Sequence, residues 1–152
     1  MKSVATFARP VPAEQSLRLV IAGLALAGVG AATYLSIVHL AGEVPVCAAG
    51  GKGCSTVTTS EYAELGPIPV PMLGLAGYLL LLASAAVRSD LGRIGGMALA
   101  MVGFGFSAYL TYLELFVIEA ICQWCVLSAL VMMFLLVATA ARAIRFAGRP
   151  AP

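Results

Sequence analysis

The sequence predicts an all-α membrane protein, a four-transmembrane-helix bundle with a long outer loop between helices 1 and 2. Three observations carry that prediction. The 152-residue chain is 61% hydrophobic and only 11% charged, whereas a soluble domain carries roughly a quarter charged residues. Its apolar residues fall in four runs, about 17–40, 70–87, 94–116 and 122–141, each near the ~20 residues that cross hydrocarbon as a helix. Its basic residues gather on alternate segments between those runs. Backbone inside lipid satisfies its own hydrogen bonds only as helix or closed barrel, so runs of this length read as helices.

The first run, LRLVIAGLALAGVGAATYLSIVHL, is longer than the ~7–15 apolar residues of a cleaved signal peptide and is expected to be retained. Gly23, Ala27 and Ala31 lie at four-residue spacing on it, a pattern that lets helix backbones approach closely. The second run opens on Pro67, Pro69 and Pro71, which suits a helix start and no deeper position. Segment 61–72 is expected to lie as a short interfacial piece over the bundle mouth. The third run, IGGMALAMVGFGFSAYLTYLELF, and the fourth, CQWCVLSALVMMFLLVATAA, complete the set. No soluble domain, long linker or low-complexity tail interrupts them, so 1–152 reads as one domain.

An even number of spans puts both termini on one side. That side collects Lys2, Arg9, Arg18, Arg88, Arg93, Arg142, Arg145 and Arg149, leaving only Lys52 opposite. The positive-inside rule then makes the termini and the 88–93 turn cytoplasmic. The expected location is the inner (plasma) membrane, multi-pass, with membrane lipid as the surrounding partner. A net charge of +2 without a basic, aromatic-interleaved patch excludes nucleic acid as a partner.

This orientation places all four cysteines on the outer, periplasmic face, where disulfides form and persist. Cys47 and Cys54 stand in the 41–69 loop, separated by Ala-Ala-Gly-Gly-Lys-Gly; Cys122 and Cys125 open the fourth run. A C-x-x-C at a helix N-terminus meets unsatisfied N–H groups and the positive end of the helix dipole, which favour the reactive thiolate. Two cysteine pairs on one face point to a redox relay, in which one pair attacks the other through a mixed disulfide. The Gly-rich loop supplies the motion such exchange needs. Two other readings stay open: static structural disulfides, and a four-cysteine metal site.

Several further residues carry chemistry. Trp124 is a candidate for stacking on a ring, or for the interfacial aromatic belt. Tyr109 and Tyr112 are candidates for lining a pocket or for packing. Glu114, near the outer end of the third run, is ionisable within a span and therefore a functional candidate. His39 ends the first run as an interfacial residue; Met132 and Met133 read as lipid or core filler.

The loop cysteine pair, the stretch CSTVTTSEYAELGPIPVPMLGLAGY (54–78) and CQWCVLSA (122–129) together resemble the vitamin K epoxide reductase family in its bacterial, single-domain form, over nearly the whole chain. The resemblance implies a four-helix bundle cupping a quinone near the outer surface. It implies thiol-driven reduction of that quinone, coupled to disulfide formation in exported proteins. Position by position, it makes Cys122 and Cys125 the active-site pair, with Cys125 facing the quinone. Cys122 would exchange with Cys54, and Cys47 with a separate periplasmic thioredoxin-fold (DsbA-like) partner. Ser60 matches the family's hydroxyl residue near the quinone; read locally, it is a helix cap. Cofactor-binding candidates are thus Ser60, Cys125 and Trp124, with no metal expected. The vertebrate members have an Asn and a Tyr where this chain has Val70 and Ala129. That difference points to a respiratory quinone (ubiquinone or menaquinone), as electron-accepting substrate, rather than vitamin K epoxide. A second quinone-linked four-span family, DsbB-like, places its cysteine pairs in the reverse order.

Overall fold

The computed structural model describes residues 12–47 and 52–147. Lys2, Arg9, Arg149 and the Ala48–Gly51 part of the Gly-rich loop lie outside the described residues. Helix α1 spans Pro12–Leu40, followed by a short helix α2 at Gly53–Thr58 and a 3-10 turn at Glu61–Ala63. A two-stranded hairpin, β1 Glu64–Leu65 and β2 Ile68–Pro69, leads directly into α3, Val70–Ala86. Helices α4, Asp90–Phe116, and α5, Gln123–Phe146, finish the chain. The hairpin pairs Glu64 with Pro69 and Leu65 with Ile68. It turns at Gly66, whose φ of +65° suits a residue without Cβ.

The four long helices form a closed ring in which α1 packs on α3, α3 on α4, α4 on α5 and α5 on α1. Ile21, Ala25, Leu81, Ala100 and Leu135 are wholly buried where these helices meet. Leu26, Ile37, Val102, Val137 and Ile144 point outward and are more than half exposed. An apolar exterior of this kind is stable in lipid and a liability in water. Helices α1, α4 and α5 are each long and apolar enough to cross a membrane, and α3 is a shorter apolar helix of 17 residues.

Close approach in α1 uses a different stripe from the one the spacing suggested. Gly23 and Ala27 are exposed and nothing approaches Gly23. The buried line is Ile21, Ala25, Gly28, Ala32 and Ser36. A methyl group on Gly28 would overlap the ring of Tyr78 on α3. Small residues recur all around α1, so spacing alone could not choose the face. Tyr78 is then pinned inside the ring by its hydroxyl, 2.6 Å from Ser128 Oγ and 3.1 Å from the Ser128 carbonyl on α5.

Three helix limits lie beyond the apolar runs: α1 starts at 12 rather than 17, α4 at 90 rather than 94, and α5 ends at 146 rather than 141. The reason is a buried charge cluster that lets helix continue through ionic residues. Arg93, 2% exposed, donates from Nε and Nη2 to the Glu14 carboxylate at 3.2 and 3.3 Å, and from Nη1 to Asp90 at 2.8 Å. Arg142, 1% exposed, donates to the carbonyls of Ser84 and Val87 at 2.9 and 2.7 Å. Arg18 donates to the carbonyls of Ala85 and Ala86 at 2.7 and 3.1 Å. The last carbonyls of a helix lack partners within it. At ~1.5 Å per residue, the 17 residues of α3 reach about 26 Å, short of a ~30 Å hydrocarbon core. Arg142 and Arg18 therefore satisfy carbonyls at the end of this short helix.

Candidate thiol site

The site starts with a helix that hydrophobic periodicity does not announce. In α2 the hydroxyl side chains bond backward to the main chain: Ser55 and Thr56 to the Lys52 carbonyl at 2.7 and 2.9 Å, Thr58 to Cys54 at 2.7 Å, and Thr59 to Ser55 at 2.7 Å. Ser and Thr are weak helix formers that readily make such local bonds, so this turn was legible only as a loop. It carries Cys54 inward to 1% exposure. Cys54 is joined by a disulfide to Cys47, Cα to Cα 6.2 Å.

The second pair is delivered by the turn between α4 and α5. The N–H groups of Val117 and Ile118 both donate to the Leu113 carbonyl, at 3.0 and 2.8 Å. Glu119 takes a left-handed φ of +52°, and Ala120 N–H returns to the Glu114 carbonyl at 3.0 Å. Folded back in this way, the chain brings Cys122 N–H to Glu114 Oε2 at 3.1 Å. Cys122 is the N-cap of α5, with no exposed surface, and Cys125 lies in the first turn; both are free thiols. Cys47 and Cys54 form the outer pair of the site, Cys122 and Cys125 the inner pair. The Cys122 and Cys125 thiols are hydrogen-bonded to each other.

The two pairs meet through backbone. A methyl group on Gly53 would overlap the carbonyl oxygen of Ile121, so α2 sits directly on the residue before Cys122. On the other flank the segment entering Cys47 is clamped. Trp124 Nε1 donates to the Val46 carbonyl at 3.0 Å, and Val46 N–H donates to the Tyr34 hydroxyl at 3.1 Å. The Tyr34 and Trp124 rings lie 4.9 Å apart.

Beside the cysteines opens a cavity of about 580 Å³, a size common for small-molecule sites. Its walls come from the end of α1, the 57–64 segment, the start of α3 and the end of α4. Residues 61–64, 70 and 71 of the 61–72 segment stand along its wall. Leu35, Val38, Val57, Val70, Leu110 and Leu113 make the lining largely apolar. Cys125, Ser60 and Glu114 reach it. Ser60 is the N-cap of the 3-10 turn but makes no side-chain cap bond; its hydroxyl donates to the Val57 carbonyl at 2.7 Å. At the rim, His39 Nε2 lies 3.2 Å from Glu64 Oε1, tying α1 to the hairpin.

Trp124 does not line this cavity; its ring is used against Tyr34 and Val46. Tyr109 and Tyr112 are also away from it, 52% and 55% exposed. Met132 is core, and Met133 faces outward. Among the described residues no three His, Cys, Asp or Glu side chains gather as a metal-ligand set. Tyr34 and α2 carry no chemical motif and were not singled out by the sequence. Glu114 was, but its grip on Cys122 depends on a reversal of the chain that spacing does not reveal.

Fold and site together define a helical membrane bundle with paired cysteines at one end, beside an apolar cavity. Residues 19–140 match the model of the vitamin K epoxide reductase family. The chain belongs to that family, one of membrane oxidoreductases.

Proposed function

We propose that the protein is a membrane thiol:quinone oxidoreductase that reoxidises a periplasmic thioredoxin-fold, DsbA-like protein and passes the electrons through two cysteine pairs to a membrane quinone. Helix α3 serves as the fourth, short span. The termini face the cytoplasm and the four cysteines face the periplasm, in line with the basic residues at the opposite end of the bundle.

The observation that carries this reading is the seating of Gly53 on the Ile121 carbonyl, which sets Cys54 and Cys122 on touching elements while Cys125 opens onto the cavity. The partner's dithiol reduces Cys47–Cys54 through Cys47. Cys54 then attacks Cys122 of an oxidised inner pair and releases Cys125, leaving the outer pair bonded and the inner pair as thiols. The Cys47–Cys54 disulfide beside free Cys122 and Cys125 thiols supports that order of exchange. Apolar walls with isolated polar groups suit a quinone ring, which as substrate takes up two electrons and two protons. Ser60 and Cys125 would hold its head, and the covering hairpin would exclude water.

Thiol-alkylation gel shifts on reduced protein, with and without added ubiquinone or menaquinone, test the reading. Quinone should convert the inner thiols to the disulfide in wild type, and Cys125→Ala should abolish quinone reduction. Full turnover by Cys125→Ala, or thiols that never respond to quinone, would overturn it.

A further inference from the structure

Among the described residues, Glu114 is the one carboxyl lining the cavity that is buried. It is 4% exposed, while the other carboxyls there, Glu43, Glu61 and Glu64, are exposed, as is Tyr62, and His39 is paired with Glu64. One of its oxygens, Oε2, accepts the Cys122 N–H. The other, Oε1, is buried and has no hydrogen-bond partner. Burying a carboxyl oxygen without a partner is costly. A polar group left open at such a position needs an explanation beyond packing. Glu114 and Cys125 line the same cavity, so a buried carboxyl shares that space with a thiol that must lose a proton and with the substrate that must gain one.

Resting on the quinone-reductase reading, we propose that Glu114 is the proton carrier of this site: it accepts the Cys125 thiol proton and delivers it to a quinone oxygen. The balance closes. Forming the Cys122–Cys125 disulfide breaks two S–H bonds, makes one S–S bond and releases two electrons and two protons. The quinone takes up both electrons and forms two O–H bonds. Glu114 begins and ends the cycle as carboxylate, passing the Cys125 proton first and the Cys122 proton second. Its second task is positional, since the same carboxylate holds the Cys122 N–H.

Glu114→Gln separates the two tasks, because an amide oxygen still accepts from Cys122 N–H while the proton-carrying capacity is gone. Quinone reduction should fall about 100-fold, the scale of a lost general acid–base group. Glu114→Asp should recover at least part of the loss. Transfer from Cys47/Cys54 to the inner pair, followed by alkylation without quinone, should stay within a fewfold of wild type. In quinone-free, reduced protein carrying Cys47→Ser and Cys54→Ser, thiolate ultraviolet absorbance should titrate about one unit lower in Glu114→Gln, because a like charge has been removed. Quinone reduction within threefold of wild type in Glu114→Gln would overturn the proposal. So would equal loss of both half-reactions, or an unshifted thiolate titration. Failure of the underlying reading is separable, since it would appear in the wild-type protein as thiols indifferent to quinone.

Discussion

Gly53 is seated against the main-chain carbonyl of Ile121, one residue ahead of Cys54 on one element and one residue ahead of Cys122 on the other. The obstacle to a larger residue is backbone rather than a flexible side chain, so α2 must lift if a Cβ is added. Gly53→Ala should slow electron transfer from Cys47/Cys54 to Cys122–Cys125 by about 10- to 100-fold, since ångström-scale misplacement of reacting groups has effects of that size. Quinone reduction by an inner pair reduced directly with dithiothreitol should be unaffected. Rapid alkylation quenching measures both, and an unchanged transfer rate would remove this contact from the account.

The clamp on Val46 makes a separate prediction about the outer pair. Tyr34→Phe removes the acceptor for Val46 N–H, and Trp124→Phe removes the donor to its carbonyl. A net hydrogen bond is worth about 1 kcal/mol. Amide hydrogen exchange across residues 44–47 should accelerate roughly fivefold in each variant, while exchange in α3 stays unchanged. Exchange at wild-type rates in both variants would show that the segment is held by something else.

At the opposite end, Glu14 lies within salt-bridge distance of both Arg93, 3.2 Å, and Arg142, 3.7 Å. Removing one partner of a buried ion pair leaves an uncompensated charge and typically destabilises by about 3–5 kcal/mol. Asp90 remains beside Arg93, so Glu14→Ala is expected near the lower limit, about 3 kcal/mol. Denaturant unfolding in detergent micelles reads it. A loss under about 1 kcal/mol would mean that Asp90 suffices for Arg93 and the Ser84 and Val87 carbonyls for Arg142.

The apolar runs located all four long helices because burial in lipid demands about twenty apolar residues wherever a helix crosses, a local requirement written in consecutive positions. The runs placed the helix limits less well at Glu14, Arg93 and Arg142. There, charges from different helices neutralise one another, and no single segment records its partner. The spacing of the cysteines likewise announced two pairs, and Ser60 at the cavity was found through the family pattern around it.

Which α1 face packs, how α2 forms, and what Trp124 touches were decided only in three dimensions. Small residues encircle α1, hydroxyl-rich turns carry little periodicity, and an indole serves a ring or a carbonyl equally well until a neighbour is chosen. By itself the sequence determined a lipid-embedded helical chain with two thiol pairs, because apolar length and cysteine spacing are properties of contiguous residues. Only the tertiary structure decided that Gly53 meets Ile121 and that Glu114 holds Cys122. Such contacts depend on how separate helix ends pack and reverse, and chain order does not encode that distance by distance.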